Sequence, residues 1–216
     1  MAGDVGDPAD TAALHRALGA SMQSWPTSTK EDEIHTAGLY QAVREVAEVP
    51  GDIVECGVGH GRSLVSLARA NELFSPHKRV LGFDSFHGFP DAVTQDLGER
   101  VDSVGRPPSG WADTSLEAVR SVLDAPAELI PGFFEATLEA THLPDAISLL
   151  HVDCDLYAST RTVLERCLPL VSPDGLVILD EYLEPRWPGA TVAVDEQVGA
   201  DAVQWEPALA RHVVRR

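Results

Sequence analysis

Basic side chains are scarce: 16 Lys and Arg stand against 34 Asp and Glu, a formal net charge of −18 over 216 residues. Binding to nucleic acid or to anionic membranes rests on neutralising phosphates with Lys and Arg. A chain of this sign argues against both. It is compatible with neutral or cationic small substrates, and equally with acidity as a solubility trait. Cysteine is scarcer still. Cys56, Cys154 and Cys167 form an odd set with no C-x-x-C spacing. Cys56 and Cys154 fall in expected strands, so the thiols are expected buried and reduced, in a cytoplasmic setting. No apolar run nears the length of a membrane span. Met1 to Pro8 is acidic and lacks the basic-then-apolar order of a secretory leader. What is present is a 44% hydrophobic chain, enough for one compact domain over 1–216 with a real core. There is no internal repeat, low-complexity tract or second domain.

The chain is organised around Gly51 to Ser63, G-D-I-V-E-C-G-V-G-H-G-R-S. A short apolar strand, Ile53 to Cys56, carries an acid at Glu55. Glycines follow at 57, 59 and 61, and a helical pattern opens at Ser63. Glycines at such a turn permit positive φ and close backbone approach to a ligand, and the helix behind offers unpaired N–H groups and a positive dipole end. A dinucleotide fingerprint reads G-x-G-x-x-G. Here the third glycine comes one residue early and a carboxylate stands two before the first. That acid would repel a phosphate but could pair with the amino group of a sulfonium-bearing methionine, which favours S-adenosylmethionine over NAD. The competing reading is a tight turn that binds nothing.

Strands and helices alternate along the rest. Helices are expected near Asp10 to Met22 and Lys30 to Val49, the second with an apolar stripe of Ile34, Leu39, Val43 and Val46. Together residues 1–48 could form a helical cover. The second strand, Arg79 to Asp84, ends in an acid where nucleoside-binding α/β folds place a ribose acceptor, followed by Ser85. Residues 91–115, rich in Gly and Pro, suit a lid or substrate loop, with disorder as the competing reading. Strands are further expected at Ala127 to Ile130, Ile147 to Val152 and Leu176 to Leu179, the last preceded by a stop at Ser172 to Gly175. A closing pair is expected near Val203 to Trp205 and His212 to Val214. The pattern gives an α/β protein with a mainly parallel sheet.

Ligands in such sheets bind at the carboxyl ends of strands. Those ends carry Glu55, Asp84, Asp153, Asp155, Asp180 and Glu181. Crowded carboxylates repel unless a cation or protons neutralise them, and oxygen ligands suit Mg²⁺, Ca²⁺ or Mn²⁺. Asp153 and Asp155 share a face if their strand continues. One reading is a divalent site of Asp153, Asp180 and Glu181, with Asp155 as base or outer partner. The other is a set of solvated strand-end acids or helix caps.

Six stretches in order resemble the macrocin O-methyltransferase family: residues 51–63, F-D-S-F-H-G-F-P (83–90), P-G-F-F-E-A-T-L (131–138), H-V-D-C-D-L-Y (151–157), L-D-E-Y (179–182) and P-G-A-T-V-A-V-D-E (188–196). The resemblance implies a class I methyltransferase fold (Rossmann-like) with a seven-stranded sheet and helices on both faces. It implies S-adenosylmethionine as methyl donor, held in a cofactor site lined by Glu55, Gly57, Gly61, Asp84 and Ser85; Gly59 and Ser63 belong to the same glycine turn. It also implies Mg²⁺ on Asp153, Asp180 and Glu181, with Asp155 as base. The family pattern has an acid where His87 stands and paired aspartates where Asp180 and Glu181 stand.

The activity this implies is O-methylation of a sugar hydroxyl on an antibiotic or related natural product. Mg²⁺ would chelate two adjacent hydroxyls of the acceptor, and Asp155 would take the proton. His87 and His212 are rival bases. His60 and His151 read as turn or packing residues. Trp111 and Trp187 could cover an aglycone. A catechol or other small diol is an alternative acceptor, and a non-catalytic adenosyl-binding regulator is an alternative class. Assembly into a homo-oligomer is left open.

Overall fold

The computed structural model describes residues 29–97, 112–139 and 143–216. The helix expected near Asp10 to Met22, Trp111 and most of the expected lid lie outside these. The elements are α1 (Lys30–Glu45), β1 (Asp52–Cys56), α2 (Arg62–Phe74), β2 (Val80–Asp84), α3 (Thr94–Leu97), α4 (Leu116–Val122), β3 (Glu128–Pro131) and α5 (Phe134–Thr137). Then come β4 (Ile147–Val152), α6 (Tyr157–Cys167), β5 (Val171–Leu179), α7 (Pro188–Gln197), β6 (Gln204–Glu206) and β7 (Arg211–Arg215).

The seven strands form one sheet in the order β3-β2-β1-β4-β5-β7-β6. β1 to β5 run parallel, while β7 is antiparallel to both β5 and β6. Alternation along β1 sends successive side chains to opposite faces. Ile53 joins Leu39 and Val43 of α1, Leu64 and Leu67 of α2, and Val119 of α4. Val54 and Cys56 join Val163, Leu164 and Cys167 of α6 and Val194 of α7. Helices therefore cover both faces, as in a class I methyltransferase fold.

Helix α1 begins at a capping box, in which Thr29 Oγ1 accepts from Asp32 N and Asp32 Oδ2 accepts from Thr29 N. Its buried face differs from the expected stripe. Ile34 is exposed, whereas Leu39, Ala42, Val43 and Val46 are buried. Counting back by helical spacing from Leu39 and Ala42 puts His35 on the inner face.

Strand β5 starts earlier than expected. Val171 already pairs with Ile147, and the next pair is Leu176 with Leu149. Ser172 to Gly175 bulges out, with Asp174 at φ 65. The chain end supports the bulge: Asp174 N donates to Arg216 O, and Arg216 N to Gly175 O. The turn residues that looked like an end are an insertion within a strand.

The three thiols are free and buried. Cys154 lies beyond β4, not within a strand as expected. No helix among the described residues is long and apolar enough to cross a membrane.

Candidate active site

The strand order reverses between β1 and β4, the switch point where open α/β sheets bind ligands. Register makes the strand ends level, since Cys56 pairs with Val152 and Val152 with Leu179. Gly57, Asp153 and Asp180 thus emerge side by side above the sheet. A cleft of about 650 Å³ opens there. Its walls include Gly57, Gly59, Ser63, Asp84, Ser85, Asp153, Asp155 and Asp180 among the residues expected in the site.

Gly57 has a physical requirement. Its φ is +96°, and a Cβ would stand 1.6 Å from Asp153 O. The glycine lets β1 and β4 close together at the mouth of the cleft. Gly61 is also left-handed, at φ 90, and caps α2 without a side chain. Asp84 braces this turn: Oδ2 accepts Val58 N at 2.8 Å and Gly59 N at 2.9 Å, and Oδ1 accepts Phe86 N at 2.7 Å. Ser85 Oγ donates to Gly88 O and accepts from His87 N.

Glu55 is fully buried and is not among the cleft walls. Its Oε1 lies 2.9 Å from His151 Nδ1, and Oε2 has no hydrogen-bond partner. Burial raises its pKa, with His151 and Ser63 opposing. His151 is buried too, yet the carboxylates of Asp180 and Glu55 outweigh that burial and push it up to about 10.

Asp153, Asp180 and Glu181 come together, each offering an oxygen within 4.8 Å of the others. Burial and the neighbouring Asp180 push Asp153 well above the carboxylate range. Burial and Asp153 do the same to Glu181. Burial acts the same way on Asp180, but the positive surroundings win and hold it below the ordinary range. Those surroundings are Arg211 Nε, at 2.5 Å, and His151 Nε2, at 3.9 Å. Glu181 is buried and Asp153 and Asp180 are half-buried, and crowded acids of this kind are the arrangement a divalent cation relieves.

Asp155 reaches the cleft by a route other than the expected one. β4 ends at Val152, so strand alternation does not carry Asp153 and Asp155 to one face. Leu156 N donates to Cys154 O at 2.6 Å, which makes a tight turn, and Asp155 takes φ 61. Its N–H points to Glu181 Oε2 at 3.4 Å.

The rival bases lie elsewhere. His87 is exposed, and His212 packs edge-on to Tyr182 and Trp205. His60 lines the cleft mouth and faces Asp113 at 3.5 Å. Trp187 stacks edge-on to Phe89, a cleft wall. Two residues escaped the sequence reading. His35 reaches in from α1, with Nε2 3.3 Å from Asp180 Oδ1, and burial drops its pKa to about 3. The inward spacing of α1 carried that signal. Arg211 sits across from Asp180 because antiparallel β7 pairs His212 with Leu179, which only the strand pairing reveals.

Comparison with known proteins identifies the family. Residues 22–204 match the family model described as Macrocin-O-methyltransferase (TylF). The chain is 35% identical over 170 residues to demethyldecarbamoylnovobiocin O-methyltransferase of Streptomyces niveus, covering 73% of this chain and 63% of that protein. It is 29% identical over 152 residues to mycinamicin III 3''-O-methyltransferase of Micromonospora griseorubida, covering 63% of this chain and 57% of that one. The matches thus span about three fifths of these relatives' length. Among solved structures, the calicheamicin methyltransferase CalS11 superposes with a TM-score of 0.72 at 25% identity, covering 100% of this chain and 98% of that one. The O-methyltransferase NovP does so with 0.71 at 25%, covering 96% and 99%. The chain belongs to the macrocin O-methyltransferase family.

Proposed function

We propose that this protein transfers a methyl group from S-adenosylmethionine to a sugar hydroxyl of a natural product, with a divalent cation such as Mg²⁺. The observation that carries the reading is the meeting, in one cleft, of the glycine turn with Asp153 and Asp180, and the grouping of buried Glu181 with those two acids. The relatives' names support the acceptor class: all name antibiotic intermediates, and the tetracenomycin enzyme of Streptomyces olivaceus names a rhamnosyl group on its acceptor.

Gly57, Gly59, Gly61, Ser63, Asp84 and Ser85 would hold the methyl donor, whose sulfonium supplies the methyl group. The unpartnered Glu55 Oε2 beneath them is a buried acceptor that suits an ammonium donor. Asp153, Asp180 and Glu181 would hold the cation, which supplies Lewis-acid polarisation of the acceptor hydroxyl when bound. Asp155, on the cleft wall, accepts the hydroxyl proton as the oxygen–methyl bond forms. Arg211 steadies Asp180 by donating to Oδ1, and His35 lies beside the same oxygen. The α1 residues Glu31, Asp32, Thr36 and Leu39 wall the cleft and limit water access. Three reduced thiols fit a cytoplasmic setting.

The test is methyl transfer to a panel of glycosides and simple diols, with and without EDTA, beside calorimetry with S-adenosylhomocysteine. Transfer to glycosides, lost with EDTA, supports the reading. Transfer untouched by EDTA removes the cation, and preference for a catechol moves the acceptor class. Absence of S-adenosylhomocysteine binding overturns the whole.

A further inference from the structure

Helix α6 starts directly after Asp153, Cys154 and Asp155, and its N-cap, Leu156, offers no side-chain hydrogen bond. The first N–H groups of a helix need partners. One partner comes from far back in the sequence: Tyr157 N donates to Asp96 Oδ1 at 2.6 Å. The other oxygen of the same carboxylate, Oδ2, accepts Val93 N at 2.8 Å. A single side chain thus fastens the segment after Phe89 and Pro90 to the turn that carries Asp155. Phe89, Pro90 and Asp155 all line the cleft.

A third element makes room for this contact. Gly189 lies in the first turn of α7, and a Cβ there would stand 2.1 Å from Asp96 Oδ1 and 3.0 Å from Tyr157 N. The absent Cβ is what leaves space for the Asp96 carboxylate beside Tyr157 N. Tyr157 Oη then donates to Glu196 Oε2 at 2.7 Å, tying α6 to α7. Asp155 needs such support. It sits at φ 61, a region that non-glycine residues keep only when their surroundings impose it, and its own N–H bond to Glu181 is long, at 3.4 Å.

We infer that Asp96 is a positioning residue for methyl transfer: capping α6 across the chain, it fixes the turn that aims Asp155 and couples that aim to the Phe89–Pro90 wall. This inference rests on the methyl-transfer reading above, which wild-type activity tests separately before any variant is made.

Three variants test it in the full chain. Asp96→Ala removes both bonds, Asp96→Asn keeps an oxygen for Tyr157 N, and Gly189→Ala leaves the carboxylate but occupies its place. Misaiming a reacting group by about 1 Å costs on the order of a hundredfold. The expected result is a kcat lowered about tenfold to a hundredfold in Asp96→Ala and Gly189→Ala. Asp96→Asn should retain most of the wild-type rate. The Kd for S-adenosylhomocysteine should stay unchanged in all three, because the glycine turn is untouched. An unchanged kcat in Asp96→Ala and Gly189→Ala overturns the inference. So does a loss of S-adenosylhomocysteine binding in step with kcat, which would mark a general structural role. Should Asp96→Ala not fold, the kcat ratio of Gly189→Ala to Asp96→Asn decides by the same criteria.

Discussion

His151 Nδ1 lies 2.9 Å from Glu55 Oε1, and neither side chain has any exposed surface. The pair joins β1 to β4 beneath the cleft, at a point where their register sets the two residues opposite each other. Removing one partner of a buried ion pair leaves the other charge uncompensated, which costs about 3–5 kcal/mol. Glu55→Ala and His151→Ala should each lose about that much in urea unfolding. The double variant should lose less than the sum, because no orphaned charge remains. Additive losses would mean that the two residues act independently.

Gly57→Ala tests the cradle. The added methyl would collide with Asp153 O at 1.6 Å and sit at a φ of +96°. Left-handed backbone alone costs about 1–3 kcal/mol for a non-glycine residue, and the collision must further part β1 from β4. The expected outcome is a clear fall in stability and loss of S-adenosylhomocysteine binding by calorimetry. Binding at the wild-type Kd would show that the turn has room the structure denies.

Much of this arrangement was legible in the sequence, for physical reasons. The fold declared itself because β1, β2 and β4 are largely buried, mainly apolar runs that stop at a glycine or an acid, as at Cys56-Gly57, Phe83-Asp84 and Val152-Asp153. Asp153, Asp180 and Glu181 were legible because strand ends converge in such sheets wherever they lie in the chain. What local pattern does not encode is what crosses the sheet. Arg211 meets Asp180 through the antiparallel register of β7, and Asp96 meets Tyr157 because α3 and α6 both pack on α7. Asp155 was placed beside the cleft by the wrong route, because the strand ends at Val152 and a tight turn, not strand alternation, carries it there. Ser172 to Gly175 carries the signs of a stop before a strand, yet backbone bonds from the C-terminal tail and the Ser172 Oγ bond to Pro50 O hold it inside β5.

The surface pair of Arg69 and Asp124 predicts an acid-side effect. Arg69 Nε and Nη2 donate to the two carboxylate oxygens at 2.9 and 2.5 Å, and the Arg69 hydrogen bond leads in lowering the Asp124 pKa. A carboxyl depressed in the folded state stabilises fully above its unfolded pKa, and that contribution fades as pH falls through the folded value. Asp124 is half exposed, so the gain stays below about 1 kcal/mol. Asp124→Asn should therefore be slightly less stable than wild type at neutral pH. The gap should close below about pH 4. Denaturant midpoints at neutral and acid pH measure it, and a gap that widens in acid would contradict the sign.

The acid cluster gives opposite predictions with and without cation. Asp153 is half-buried beside Asp180 and Glu181, and each of those neighbours disfavours its charge or has its own disfavoured by it. Asp153→Asn keeps the shape and removes one of the crowded charges. In EDTA it should therefore melt at the wild-type temperature or above it. With Mg²⁺ the order should reverse, because a ligand at about a hundred times its Kd adds about 2.7 kcal/mol to the protein that binds it. For a chain of this size that is a rise of roughly 5–10 °C in Tm for wild type, absent in the variant. Melting curves of both proteins across a Mg²⁺ titration measure the crossing. Parallel curves, with wild type and variant shifted alike, would remove Asp153 from the cation site while leaving its role in the fold intact.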